Sequence, residues 1–595
     1  MCRNFNIDEE DLCLKFEAQK TNWMNQNSDQ WNKVEAPFEI IYDIVLTQLQ
    51  QQQAKSKQTA GKSLGNVNSN IINKNQQALP INSLRVNAIN NGSSIGLNGM
   101  KNEARYLTDL LTQAKKKSNL NSKQKGGEGK IEQELDQLYI SRKSRGNQRL
   151  TFNDQITRRT GLQNIGGYFQ INVKPIEKFE ILNLTSLQRV HGLQKHFDYI
   201  ENVMKHQLRT ETFNDLGETG TDAQRIIGRV VAFNADEEKF SENNVGLINL
   251  SEDNQFDTHK MRLNMSEVKS FSLFEGEVIV AEGFIDISTA SKFNVTRIHK
   301  PMSSIPTSNM GLSEVRDITS QYYRDKHLNI MIASGPFTFK NSLSYKGLQD
   351  FLEIVKKEQP QAVILQGPFL DFSNLDIYSG ELFYDDIKTM EKVFVTHEEL
   401  FQDLINQIQN ELQELKNTQV IFVPSHKDIH HIQPLPQQPF HPKQFNKMFN
   451  QAILAGNPSM VQLNDIRIGI INADFVKEMC QTMIAKNMEP PKIDLSLQAV
   501  FQQKLLYPLY PPNHETPIEY SEIQQMMLDQ SGTPDILLTS SDLIQFSKNI
   551  DGCICINPGQ IIKSDAGGTY CSITLEPFDY VQYLSKRIRV EIINI

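Results

Sequence analysis

The sequence predicts a mixed chain, α/β plus all-β, with a small β module ahead of a larger α/β sandwich. Three observations carry that expectation. Between residues 223 and 305, short β-branched segments alternate with Asn, Asp and Gly turn signals. From 306 to 595, near-continuous apolar strands alternate with amphipathic helices, the pattern of a sheet buried on both faces. Between 51 and 150 the composition turns to Gln, Asn, Lys and Ser, and 17 Lys and Arg stand against 6 Asp and Glu.

At 595 residues the chain is too long for one core, so several domains are expected. Its net charge of −9 argues against a nucleic-acid coat, although residues 51–150 alone carry +11 and the remainder −20. The six cysteines (2, 13, 480, 553, 555 and 571) form neither a disulfide framework nor a zinc pattern. No apolar run approaches a membrane span, and the acidic start MCRNFNIDEEDLC has no apolar h-region, so a soluble intracellular protein is expected.

Residues 1–50 carry Phe38, Ile41, Ile44, Val45 and Leu49 at helical spacing and predict a small helical domain. Residues 51–150 read as a flexible basic linker, too poor in apolar surface to offset the entropy of ordering. One island within it, Ala104 to Gln113 (ARYLTDLLTQ), reads as a short helix or a docking peptide, and Lys115–Lys117 as solvated charge. A helical and extended lead-in covers 151–222, with a helix over LQRVHGLQKHFDYIENVMKHQL. The segments 226–233, 267–273, 277–285 and 293–300 then predict about five strands, the size of an OB-type barrel, with Gly276 at a tight turn.

In the last part, strands are expected at 328–333, 362–366, 419–423, 466–472, 535–540, 552–557 and in RIRVEIINI. Helices are expected at 344–357 and after the capping box Thr396-x-x-Glu399, where Phe401, Leu404, Ile408 and Leu412 mark one face. Ligands of open α/β sheets sit at the C-terminal strand ends. Here those ends read Ala333-Ser-Gly-Pro-Phe337, Gln366-Gly-Pro-Phe-Leu-Asp371, Val423-Pro-Ser-His-Lys-Asp428 and Ile556-Asn-Pro-Gly559.

That order resembles the calcineurin-like metallophosphoesterases, whose strand ends supply D-x-H, G-D-x-x-D, G-N-H-D/E and G-H-x-H. Two divalent ions about 4 Å apart need bridging carboxylate and imidazole ligands to generate a hydroxide. The resemblance implies a site here that has lost them. Ser334 and Pro336 take the places of the first Asp and His, Pro368 that of the bridging Asp, and His426 and Lys427 those of Asn and His; Asn557 and Pro558 fall where G-H-x-H would lie. A Lys ammonium repels a metal and Pro has no ligand atom. Asp371, Asp428, His430 and His431 survive as candidates, and the expectation is a degenerate site with no catalytic residue, metal or cofactor.

A barrel followed by such a domain resembles the B (accessory) subunits of eukaryotic and archaeal replicative polymerases, most closely those of polymerase α. Besides the strand ends, Tyr139-Ile-Ser-Arg-Lys-Ser-Arg-Gly146, Leu273-Phe-Glu-Gly-Glu-Val-Ile-Val-Ala-Glu-Gly283, Pro436-Gln-Gln-Pro-Phe440 and the continuation Ile429-His-His431 carry the likeness. The resemblance implies a nuclear, non-catalytic scaffold that binds the C-terminal domain of the catalytic subunit. It further implies assembly with the small and large primase subunits, primer synthesis that includes the telomere C-strand, and tethering of replisome or telomere factors through the N-terminal region. DNA contact would be weak and membrane contact absent. Two other classes remain as alternatives: an active metal-dependent phosphoesterase, and a single-stranded DNA-binding barrel stacking bases on Phe233, Phe271, Phe274 and Phe284.

Overall fold

The computed structural model describes residues 137 and 139–595 apart from short internal stretches, the longest being 307–326. All of them belong to one compact unit, Ser94–Ile595. The helical domain expected at 1–50, the island at 104–113 and the lysines at 115–117 lie outside the described residues.

The stretch read as linker to residue 150 is ordered before it ends. Tyr139 is buried with its ring 5.4 Å from that of Phe339. Arg142 lies 3.6 Å over the Tyr139 ring and donates to Asp350 at 2.5 Å and to the Ile595 main-chain oxygen at 2.7 Å. One aromatic and one arginine fix this segment, a signal that linker composition hides. Strand β1 (Gln148–Phe152) follows, then β2 (Ile171–Val173) and helix α1 (Ser186–Leu208). Thr185 caps α1 with a reciprocal Thr–Gln188 box, and Leu193, Phe197, Ile200 and Met204 form its buried face.

Strands β3 (Gln224–Ala232), β4 (Val245–Asn249), β5 (His259–Asn264), β6 (Phe271–Leu273), β7 (Val278–Ile285) and β8 (Lys292–His299) come next. Five of them close a barrel in the order β3-β4-β5-β8-β7, parallel only between β5 and β8. Two expectations need correction. Only the last three residues of 267–273 form a strand, and β6 pairs outside the barrel with Ile484–Lys486. The strands completing the barrel are β4 and β5, the second disguised in HKMRLN, where Met261 and Leu263 alone point inward.

The sandwich contains β9 (Leu328–Ser334), β10 (Ala362–Gln366), the hairpin β11 (Phe383–Asp385) and β12 (Lys392–Phe394), β13 (Gln419–Val423), β14 (Ala452–Leu454), β15 (Ser459–Leu463) and β16 (Ile466–Ile471). It continues with β17 (Ile484–Lys486), β18 (Ile536–Thr539), β19 (Phe546–Ile550), β20 (Cys553–Asn557), the short ladder β21 (Ile562–Lys563) and β22 (Ala566–Gly567), β23 (Thr569–Leu575) and β24 (Ile588–Asn594). Its helices are α2 (Lys346–Glu358), α3 (Leu375–Ser379), α4 (His397–Leu412), α5 (Phe475–Thr482), α6 (Lys492–Gln503) and α7 (Leu584–Arg587).

Two sheets stack, one ordered β1-β24-β23-β9-β10-β13-β14 and the other β19-β20-β18-β16-β15-β2. Between them lies a branched aliphatic layer that includes Ile330, Ile332, Ile364, Ile421, Ile468, Ile470, Ile536 and Ile554. Helices α2 and α4 cover the first sheet's outer face, with Phe401, Leu404, Ile408 and Leu412 buried as the spacing predicts; α5 and α6 cover the second. Thr396 and Glu399 close the expected capping box at 3.2 and 2.8 Å.

The barrel is fastened to the sandwich by buried polar groups. The Gln503 side chain accepts from the Val278 amide at 2.9 Å and donates to its carbonyl at 3.1 Å, pairing with β7 as a strand residue would. Arg229, buried, donates to the carbonyls of Gly276 (2.9 Å) and Leu193 (3.1 Å). The His196 ring meets the Gln503 carbonyl at 2.9 Å. Gly276 has φ +101°, and a Cβ there would stand 2.3 Å from the Tyr510 nitrogen, so the tight turn expected at this position must be glycine.

Candidate functional site: a cavity at the strand ends

The loops after β9, β10, β13, β16, β18 and β20 converge on one cavity of about 290 Å³. Its lining includes Ser334, Pro336, Pro368, Asp371, His426 and Lys427 of the residues named from the sequence. Asp428 sits directly beneath it, and Asn557 and Pro558 support its far wall through Gly559 and Gln560.

The paired Gly-Pro-Phe motifs have a packing origin. A Cβ on Gly335 would lie 2.3 Å from the Pro368 carbonyl oxygen, and one on Gly367 2.3 Å from Asp428 Oδ2, so the two loops approach as closely as glycine permits. Both Gly-Pro bonds are cis. The loops then bury their phenylalanines together: Phe337 and Phe369 stack at 5.2 Å, and Phe369 meets Phe440 edge-on at 5.5 Å. Thus the Pro436–Phe440 motif serves the same cluster as the strand ends.

Asp428 is fully buried and accepts three main-chain amides, Phe369 at 2.5 Å, Leu370 at 3.0 Å and Ser425 at 2.9 Å. Burial pushes its carboxyl up to about 7, opposed by those amides and reinforced by nearby Asp371. Asp371 accepts from the Ser373 amide at 3.0 Å and hydroxyl at 2.5 Å, so it caps its own turn. Both carboxylates are committed to holding loops.

The histidines diverge. Burial, with help from Lys427, lowers the His426 imidazole to about 4. His430 lies 4.2 Å from Phe401 and stacks parallel to Phe440 at 5.6 Å, and burial lowers it to about 3. His431 turns instead to the Gln438 carbonyl at 2.8 Å. Among the described residues no group of three His, Cys, Asp or Glu is arranged to hold a metal ion.

Asn557, named from the sequence, and three residues that sequence reasoning passed over, Asn472, Asp474 and Asp542, complete the wall. Asn472, after β16, donates to the Gly367 (2.9 Å) and Pro424 (3.2 Å) carbonyls and so ties two strand ends together. Asn557 accepts from the Ser541 and Gly559 amides, both at 3.2 Å. Asp474 accepts from the Asp542 amide at 2.8 Å, and burial raises its carboxyl. Asp542 is desolvated, yet Lys477 at 2.8 Å and the nearby Lys427 hold it below the usual carboxylate range. Their positions just past apolar strands were the available signal.

The four barrel phenylalanines do not form a stacking face: Phe271 and Phe274 are buried, Phe233 is half-buried with Lys260 at 5.2 Å and Arg262 at 5.7 Å over its ring, and Phe284 is exposed.

A two-sheet α/β sandwich joined to a closed β barrel, with strand-end acids bonded to loop amides, defines the structural class of the protein. Comparison with known proteins gives that class a name. Residues 330–548 match the family model for the B subunit of DNA polymerase alpha/epsilon. The chain is similar to the B subunit of DNA polymerase alpha from Mus musculus, 27% identical over 313 residues, 52% of this chain and 48% of that protein. It is similar to the counterparts from Drosophila melanogaster (27% over 350 residues; 56% and 52%) and Schizosaccharomyces pombe (24% over 326 residues; 54% of each). The chain spans about half the length of the curated relatives it matches. The resemblance to the B subunits of polymerase α is borne out by these likenesses.

Proposed function

We propose that the chain is a non-catalytic scaffold subunit of a polymerase alpha–primase assembly. In this reading the barrel is an OB fold and the sandwich a phosphoesterase-like domain that has exchanged metal chemistry for structure. The observation that carries it is the Asp428 carboxylate, which accepts three loop amides while its neighbours at the strand ends are Ser334, Pro336, Pro368 and Lys427. A two-metal centre does not fit this donor set: the prolines offer no ligand atom and the ammonium opposes the ion. The residues named as the degenerate site (Ser334, Pro336, Pro368, Asp371, His426, Lys427, Asp428, Asn557 and Pro558) therefore act as loop anchors.

The protein would hold the C-terminal domain of the catalytic subunit against its barrel and sandwich. The catalytic subunit and the small and large primase subunits would thereby stay in one nuclear particle that makes RNA–DNA primers, including those of telomere C-strand synthesis. Residues 1–136 would supply the tether to other replisome or telomere factors. Affinity purification of the endogenous protein tests this: co-purification with a family-B polymerase and two primase subunits is expected, and a free monomer would overturn it. Incubation with Mn²⁺ and a generic phosphodiester should give no turnover above a blank. Turnover abolished by Asp428→Asn would establish the active phosphoesterase instead.

A further inference from the structure

The hairpin β11–β12 is a two-stranded sheet that pairs with no other strand among the described residues. An isolated hairpin is marginal in water, and this one shows large apolar side chains to solvent. Phe383 is 47% exposed, Val393 47% and Phe394 56%, and the two phenylalanine rings meet edge-on at 5.8 Å. The hairpin is seated on the sandwich at its open end: the Val395 amide continues its ladder to the Leu382 carbonyl at 3.0 Å, and Leu382 is buried in the outer core with Val395 packed against it. Immediately after it, the first two turns of α4 carry exposed Glu398, Glu399 and Asp403. The result is an aromatic surface beside an acidic one.

The chain itself contains a segment of the complementary kind. In the sequence, Tyr106, Leu107, Leu110 and Leu111 recur at helical spacing, and Lys115–Lys117 follow them. The polypeptide joins the described fold at Gln137 and Tyr139, and Tyr139 packs in the same outer core as Ile377, Leu382 and Leu400, the residues beneath the hairpin and the start of α4. The 23 residues from 114 to 136 can span at most about 80 Å when extended and about 27 Å as a random coil. Tethering also raises the segment's local concentration to the millimolar range, enough for a short apolar contact.

We infer that residues 104–117 dock in cis on the β11–β12 hairpin, leucines on Phe383, Val393 and Phe394, lysines along the acidic start of α4. This goes beyond the scaffold function and does not depend on it. It makes the hairpin a covered surface in the free protein and an exchangeable one for any partner offering leucines followed by basic residues.

Hydrogen exchange on the purified full-length chain tests the contact. Amides of 104–113 should exchange about tenfold or more slower than an unstructured peptide of that sequence. The double variant Phe383→Asp/Phe394→Asp should remove that protection, and Leu110→Asp/Leu111→Asp, at positions outside the described residues, should speed exchange of the hairpin amides. Unprotected 104–113 in the parent chain would overturn the proposal. So would protection that survives both hairpin substitutions, or protection that falls on dilution, which would place the contact between two copies.

Discussion

Polar side chains are buried in two regions, at the strand-end cavity and at the seam between barrel and sandwich, and they are put to different use. In the cavity, Asp428, Asn472 and Asn557 bond the main chain of loops that belong to the sandwich itself. At the seam, Gln503 bonds directly from sandwich to barrel, while Arg229 bonds the barrel to helix α1 and His196 bonds α1 to the sandwich. The first region shapes a wall and the second sets an orientation. At the strand ends the buried Asp428 carboxylate faces loop amides. The same kind of group thus fixes a loop in one place and the relation of two modules in the other.

Breaking the cavity should cost most. Asp428→Ala strands three buried amides, and a loss of about 3–5 kcal/mol is expected, read as a lower urea midpoint. Gly276→Val should come next: it places a Cβ 2.3 Å from the Tyr510 nitrogen at a positive φ, with an expected loss of about 3 kcal/mol and early proteolysis between barrel and sandwich. Gln503→Leu, which removes the Val278 pairing, should lower stability by about 2 kcal/mol while each module keeps its own spectroscopic signature.

Acid and base separate the two regions by sign. The Asp428 carboxyl is raised to about 7, so the folded state binds its proton more tightly than the unfolded chain does; its contribution is present at low pH and is lost as pH rises through about 7. Burial, reinforced by Arg229, lowers His196 to about 3; its contribution is present above the ordinary imidazole range and is lost as pH falls toward about 3. Subtracting the stability profiles of Asp428→Asn and of His196→Phe from that of the parent should give curves of opposite slope. Smallest of all is Lys477→Met, which removes a pair more than a third exposed at both partners and should change stability by less than about 1 kcal/mol.

Much of this was legible in the sequence because burial on both faces leaves a strong mark. Strands such as Ala362–Gln366 and Cys553–Asn557 are buried throughout and apolar up to their last residue, and Thr396–Glu399 announces its helix. Barrel strand β5 was hidden because one face is solvated and only Met261 and Leu263 betray it. The anchoring of Tyr139 and Arg142 was hidden because it depends on Asp350, some 210 residues away. At the site, the glycines and prolines of the loops could be read, but not that Asp428 spends its oxygens on amides, since an acceptor's partners are set by loop geometry.

The sheet order bears on how the protein is made. Strand β24 lies between β1 and β23, so the first sheet cannot close until residues 588–594 have been synthesised, and β1 must wait some 440 residues for the strand it pairs with among the described residues. The barrel needs nothing beyond His299 for its own ladder. At roughly 5–20 residues per second, the sandwich half trails the barrel on the ribosome by about 15–60 seconds. During that interval the aliphatic faces of β9, β10 and β13 have no finished sheet to complete them, which marks the nascent sandwich as a client for chaperones; ribosomes stalled after residue 480 should display a protease-resistant barrel and a protease-sensitive sandwich.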